Sequence, residues 1–291
     1  MDNIKITMTG ASGFVGGNLT NRFKSLGWTV TPIHKEDIDN GIERVKTLLT
    51  DSDVVINLAG APIIAKWTEQ YKKVLQNSRI GTTRLLIEAI AKMERKPSVL
   101  ISTSAVGIYS DTGTHTETSF VYSTDFLGEL AKHWEQEALR AKDIGIRTVI
   151  FRFGIVLGKN GGALKQMITP FRLGLGGTIG DGSQAFSWIH IDDLTSAYIK
   201  AITDKDMEGV FNLTAPEPVT NKILTETLSK ALRKPAIFRI PTFVLRLKYG
   251  DGAQVLTGGQ RVLPERLLKS GFNFKYPDIT SAIGDIVKNL Q

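Results

Sequence analysis

Residues 10–16 read GASGFVG, three glycines at a fixed spacing of three. The run follows the apolar stretch KITMT and precedes GNLTNRFKSLGW, where Leu19, Phe23 and Leu26 recur at helical spacing and Gly27 offers a stop. A chain that leaves a strand, turns on glycine and enters a helix puts free backbone N–H groups at the positive end of the helix dipole. That is a site for a pyrophosphate. In such a turn Gly10 makes the tight bend, Gly13 lets the phosphates approach and Gly16 lets helix pack on strand. With 28 glycines among 291 residues the bare spacing is weak; the strand before it and the helix after it give it meaning.

The alternation continues. KITMT, TVTPI, DVVINLAG, SVLISTSAV and RTVIFRFGIVLG read as strands rich in Val, Ile and Thr. Between them, residues 71–93 form one long periodic stretch with Val74, Ile80, Leu85, Ile87 and Ile90 apolar, and residues 123–145 open on Ser123 and Thr124 and close at Gly145. Strand–helix alternation predicts an α/β fold, a doubly wound parallel sheet of the Rossmann kind covered on both faces. Beyond residue 158 the glycine-dense stretches GKNGGALKQM and LGLGGTIGDGSQAFSW break the rhythm. The expected division is a dinucleotide-binding domain over 1–158 and a smaller C-terminal substrate lobe over 159–291, with a cleft between them.

Composition narrows the chemistry. There is no cysteine, hence no disulfide, no thiolate nucleophile and no cysteine-held metal. The four histidines, at 34, 115, 133 and 190, are scattered without metal-ligand spacing, and no Gly-x-Ser-x-Gly elbow of a serine hydrolase occurs. No apolar run approaches membrane-spanning length and no leader is visible, so a soluble cytoplasmic protein is expected, with neither membrane nor nucleic acid as partner. Residues 1–220 balance at 24 basic and 24 acidic side chains, whereas residues 221–291 carry 12 and 5. The whole excess of +7 sits in the last quarter, as the solvated face of a small domain or as a field that would draw an anionic small-molecule substrate.

The spacing Gly-x-x-Gly-x-x-Gly, with DVVINLAGAPI, LISTSAVGIYS, FRFGIVLG and WIHIDDL in that order, resembles the extended short-chain dehydrogenase/reductase superfamily. The segments SRIGTTRLL, DFLGELAKHWEQEA and GGALKQM, and the tail over about 240–288, resemble its atypical NAD-dependent epimerase-like family. The resemblance implies cofactor contacts from Gly10, Ser12, Gly13, Phe14, Val15 and Gly16, from Leu58, Ala59 and Gly60, and from Ser102. At the end of the second strand a carboxylate would hold a ribose diol and a basic group a 2′-phosphate. HKED offers both, in Glu36 and Asp37 and in His34 and Lys35; the family's register puts Lys35 at the basic position, with Arg79 as a second phosphate contact. NADP is therefore the expected cofactor and NAD the lesser alternative. A homodimer is a further expectation of the resemblance.

Members of the superfamily use a Ser, a Tyr and a Lys four residues after it, which share a helix face. The tyrosines at 71, 109, 122, 198, 249 and 276 are followed four residues later by Leu75, Gly113, Phe126, Ile202, Ala253 and Thr280, and never by Lys. Aligning the helix by its glutamates leaves Leu127 and Ala131 where Tyr and Lys would stand. Ser104 remains as a group that would hydrogen-bond a substrate oxygen or as a strand-end serine satisfying backbone, and His190, near Asp192 and Asp193, as an acid/base near neutral pH or as part of a structural signature. Two functions fit: an NADP-dependent oxidoreductase or epimerase-like enzyme of unknown substrate, or a non-catalytic protein that binds NADP(H) and reports its redox state.

Overall fold

The computed structural model describes residues 3–159 and 161–288. Its first elements are β1 (Lys5–Thr9), α1 (Phe14–Ser25), β2 (Thr29–Ile33), α2 (Lys35–Asp39), α3 (Ile42–Leu49), β3 (Val54–Asn57), α4 (Glu69–Gln76), α5 (Thr82–Ala91) and β4 (Val99–Ala105). There follow β5 (Thr114–His115), α6 (Phe126–Leu139), β6 (Arg147–Phe153), β7 (Ile155–Leu157), α7 (Gly162–Arg172), β8 (Gly177–Ile179), β9 (Ala185–Phe186) and β10 (Trp188–His190). The last third holds α8 (Ile191–Thr203), β11 (Gly209–Leu213), β12 (Val219–Thr220), α9 (Asn221–Leu232), β13 (Phe238–Ile240), α10 (Thr242–Tyr249), α11 (Gln254–Thr257), β14 (Arg261–Val262), α12 (Glu265–Lys269) and α13 (Ile279–Lys288).

Six strands form one parallel sheet in the order β11-β6-β4-β3-β1-β2. Alternate strand residues serve opposite faces. Ile6, Met8, Val54, Ile56, Val99, Ile101, Val149 and Phe151 join Leu19 and Phe23 of α1 and Leu194, Ala197 and Tyr198 of α8 in one buried layer. Val55 and Leu100 join Val45 and Leu49 of α3 and Leu86, Ile87 and Ile90 of α5 in the other. A sheet covered on both faces gives strands with no polar alternation, as the sequence shows.

Three expectations need correction. The sheet does not end at residue 158: β11 is its outermost strand, bonded to β6, and α8 packs against α1. Residues assigned by chain order to the second lobe therefore complete the first domain. The long helix expected over 71–93 runs without a break from Glu69 to Ala91, but it takes a π-helical turn at Asn77–Gly81 that divides it into α4 and α5. The cap of α6 is Asp125, which accepts from the Gly128 N–H at 2.9 Å, one place beyond the Ser123–Thr124 pair. A second core gathers Leu164, Ile168 and Phe171 of α7, Leu224 and Leu228 of α9, and Ile279, Ile283 and Ile286 of α13.

Candidate cofactor site

The chain runs from β1 outward to β2 on one side, while β3 pairs on the other, so strand order reverses at β1. The crevice beyond the carboxyl ends of β1 and β3 is where open parallel sheets bind ligands. The glycine loop leaves β1 at this point. Gly10 has φ +68°, and a Cβ there would stand 2.8 Å from the Leu58 carbonyl oxygen. At Gly16 a Cβ would meet the Gly10 oxygen at 2.2 Å, so helix and loop touch at backbone distance. Gly13 differs: its only close neighbour would be the Gly10 oxygen at 3.3 Å, and both Gly13 and Ser12 are exposed. No side chain caps α1 and no acid stands in its first turn, which leaves that terminus to an anion. Phe14 points elsewhere. Its ring fills the space beside Gly158 and Gly161, where a Cβ would lie 2.8 and 2.0 Å from it. Its contribution to a ligand is the backbone of the first turn; Val15 likewise packs partly into the core.

A polar scaffold absent from the sequence reading fixes the opposite wall. Thr9 Oγ1 donates to Asn57 Oδ1 at 2.7 Å and accepts from the Leu58 and Ala59 N–H groups at 3.0 and 3.1 Å. Asn57 Nδ2 donates to Thr83 Oγ1 at 2.8 Å, as does Trp134 Nε1 at 3.0 Å. These side chains are buried within the sheet and its helices, so Leu58, Ala59 and Gly60 are held at a set distance from the glycine loop. The signal was a lone Asn ending the otherwise apolar strand VVIN.

Arg79 projects from the π-helical turn against this wall. A Cβ on Gly60 would lie 3.1 Å from its guanidinium, which donates to the Ala61 carbonyl at 3.0 Å and lies 5.5 Å from the Trp134 ring centre. No carboxylate pairs with it among the described residues. Burial pushes its pKa down to about 10. Its hydrogen bonds go to neutral oxygens, those of Ala61, Leu75 and Ser78, so its charge has no counter-ion among the described residues.

At the end of β2 the two kinds of candidate separate. Asp37 is buried: its carboxylate accepts the His34 N–H at 2.9 Å and Arg44 Nε at 2.8 Å. Those bonds, the backbone one first, hold its pKa below the usual range. It closes a capping box on α2 and has no free face for a ribose. Lys35 and Glu36 are exposed, Lys35 pairing with Asp39 one turn on.

The catalytic expectations fare differently. Ser104 is buried and its Oγ donates to Glu135 Oε1 at 2.6 Å. Arg152 engages the same carboxylate with two bonds of 2.7 Å and reaches Tyr109 Oη at 2.7 Å, and Tyr109 donates to Asn212 at 2.7 Å. The serine is thus consumed by a buried network instead of facing a substrate. The same network occupies Tyr109, whose pKa is pushed up to about 12, first by burial. Ser102 is buried in the sheet between Asn57 and Ile150, with its hydroxyl unpartnered. His190 caps α8, accepting the Asp192 N–H at 3.1 Å, and packs on Tyr276 at 3.9 Å between centroids. Its ring is buried, with Nε2 3.6 Å from an Asp285 carboxylate oxygen. Leu127 and Ala131 of α6 face apolar neighbours, the latter Ile108 and Val262.

Residues 6–214 match the NAD dependent epimerase/dehydratase family, and residues 240–286 match a Domain of unknown function (DUF1731). The chain belongs to the epimerase family. An epimerase family protein of Staphylococcus epidermidis is 37% identical over 97% of this chain and 98% of its own length. The chloroplastic epimerase family protein SDR39U1 homolog of Arabidopsis thaliana is 36% identical, over 97% and 86%. Human epimerase family protein SDR39U1, solved with NADPH, superposes with a TM-score of 0.89 at 33% identity, covering 98% of this chain and all of that one (100%). A UDP-glucuronic acid 4-epimerase of Bacillus cereus, solved with NAD, shares the fold at 21% identity and a TM-score of 0.77. The six-stranded Rossmann-like sheet of this epimerase-family chain thus has NAD(P)-binding structural neighbours. No helix among the described residues is long and apolar enough to cross a membrane.

Proposed function

We propose that the chain binds NADPH in the crevice between the glycine loop and Gly60, and reduces a carbonyl-bearing small molecule. The observation that carries this is the pair of anion positions flanking one crevice: the uncapped N-terminus of α1, and Arg79 beside Gly60. Asp37, locked in its capping box, has no free face for a ribose. The basic groups at this strand end, His34, Lys35 in its exposed pair with Asp39, and the Arg44 guanidinium beyond its bond to Asp37, would meet a 2′-phosphate, which supports NADP over NAD. The human relative solved with NADPH supports the same choice.

A nicotinamide cofactor held there would supply a hydride for a carbonyl carbon, the reduced cofactor being oxidised in the same step. The α1 N–H groups hold the pyrophosphate, Gly13 admits it, and the Thr9–Asn57–Thr83 scaffold keeps both walls in place. With Ser104 and His190 engaged in bonds within the protein and with Leu127 and Ala131 apolar, water entering the cleft gives the carbonyl oxygen its proton. The test is a single turnover: the protein, loaded with NADPH, is mixed with a panel of aldehydes and ketones, and nicotinamide absorbance is followed. Loss of absorbance with any member supports the enzyme.

The two apolar positions on α6 favour one rival, a redox sensor that binds NADP(H) without turnover. Its mark would be NADPH that binds and stays reduced against the whole panel.

A further inference from the structure

Across the first turn of α6 lies a separate cleft of about 560 Å³, within the ~300–1,000 Å³ usual for small-molecule sites. Trp67 and Phe126 line it from the sheet domain, Arg246, Asp251 and Thr257 from the tail, and Lys72 from α4. The two aromatic rings meet edge to face, with centroids 5.3 Å apart. Trp67 is fixed by the bond from its Nε1 to the Ile63 carbonyl, 2.9 Å. The tail closes on this segment at backbone distance, since a Cβ on Gly252 would stand 2.2 Å from the Ala65 oxygen. Phe126 is followed by Leu127, whose Cβ lies 3.6 Å from the place of a Cβ on Gly107, in the turn beyond β4. The cleft therefore neighbours the carboxyl edge of the sheet.

The charges decide the ligand. Lys72 Nζ is bonded to Glu69 at 2.9 Å and to Asp251 at 3.3 Å, so its charge is offset within the protein. The Arg246 side chain has no hydrogen bond or ion pair among the described residues. The cleft thus offers ring edges, since Trp67 is 6% exposed and the Lys72 ammonium stands 5.7 Å from the Phe126 ring centre. It also offers one uncommitted guanidinium, a group that pairs with a carboxylate through two parallel bonds. A diphosphate, with at least two charges, would leave part of its charge unmatched.

We propose that this cleft binds a ring-bearing monocarboxylate, its ring against Trp67 and Phe126 and its carboxylate on Arg246. The inference rests on the reading above in one respect: such a ligand would be the carbonyl compound reduced.

Calorimetric titration with 4-carboxybenzaldehyde and with uncharged benzaldehyde tests it on the full chain, with NADPH present and absent. The charged probe is expected to bind at least about tenfold more tightly, and Arg246→Gln to abolish that preference. Arg246→Glu, at the same exposed position, is expected to exclude the charged probe while NADPH binding stays unchanged, which reports an intact fold. Equal affinity for both probes, no binding of the charged one, or a preference that survives Arg246→Gln overturns the assignment. Failure to bind NADPH, with the probes behaving as expected, removes the cofactor reading and leaves the cleft assigned.

Discussion

Gly16 shows how much a single residue can hold. Its Cα hydrogen faces the Gly10 oxygen where a methyl group would stand at 2.2 Å, and the clash is with backbone, which no rotamer change relieves. Gly16→Ala is expected to destabilise the chain by about 1–3 kcal/mol in urea unfolding and to weaken NADPH at least tenfold, because α1 must shift away from the loop. An unchanged affinity would separate the loop from the cofactor. His190 supplies a pH dependence. Burial holds its ring below the usual 6.5, outweighing Asp192 and Asp285, which raise it; Lys275 adds to the lowering. As the pH falls below 6.5 the unfolded chain takes up this proton first, so stability is complete above that pH and declines below it. Protonation of Nδ1 would also cost the cap on α8. His190→Asn keeps an acceptor at the cap and removes the titration. Its stability is expected to fall less than the wild type's between pH 6.5 and about 5, by urea midpoint.

At the scale of elements, β4, α6 and β6 are tied by one ion pair inside the protein. The Arg152 and Glu135 side chains are 4% and 8% exposed, and the guanidinium is held well above its usual range, burial notwithstanding, by the carboxylate it meets. Removing one partner strands the other charge: Arg152→Met is expected to cost about 3–5 kcal/mol, and pairing it with Glu135→Leu to recover most of that loss. Equilibrium unfolding of the single and double variants measures it; a double variant no better than the single would contradict the buried-charge account. This network also explains why the site was only half legible in the sequence. The glycine loop and the strands announced themselves through spacing and apolar runs, which are local. Ser104 stayed open between a substrate contact and a structural bond because its partner lies 31 residues away on α6, and that partner is set by packing. The π-helical turn that delivers Arg79 has no signature in residues 71–93, whose apolar spacing fits one unbroken helix.

The whole molecule is less divided than chain order suggests. Leu267 and Phe272 from the tail enter the core of the main sheet, and Tyr276, Ile279 and Ile283 complete the second core. Arg266 donates to the Val210 and Glu208 carbonyls at 2.6 and 2.8 Å and stacks on Phe211 at 4.2 Å, covering the open edge of β11. Asp193 accepts the Lys275 and Tyr276 N–H groups at 2.7 and 3.0 Å and binds the tail to α8. A chain ending at residue 239 is expected to lose cooperative unfolding and to aggregate through that uncovered edge. A soluble truncated monomer with a sharp transition would show the tail to be an appendage. The parallel sheet was legible because strand–helix alternation admits few alternatives. The return of β11 was not, since five residues after the helix α8 carry no mark of which sheet they join.

The central claim is that one crevice, between the glycine loop and Arg79, is built for a phosphorylated dinucleotide. Titration of the purified protein with NADPH and NADH, by nicotinamide fluorescence, tests it most directly, in the wild type and in Lys35→Ala with Arg44→Ala. NADPH is expected to bind more tightly than NADH, and the double variant to lose that preference while retaining NADH. Tighter binding of NADH by the wild type, or binding of neither, would contradict it.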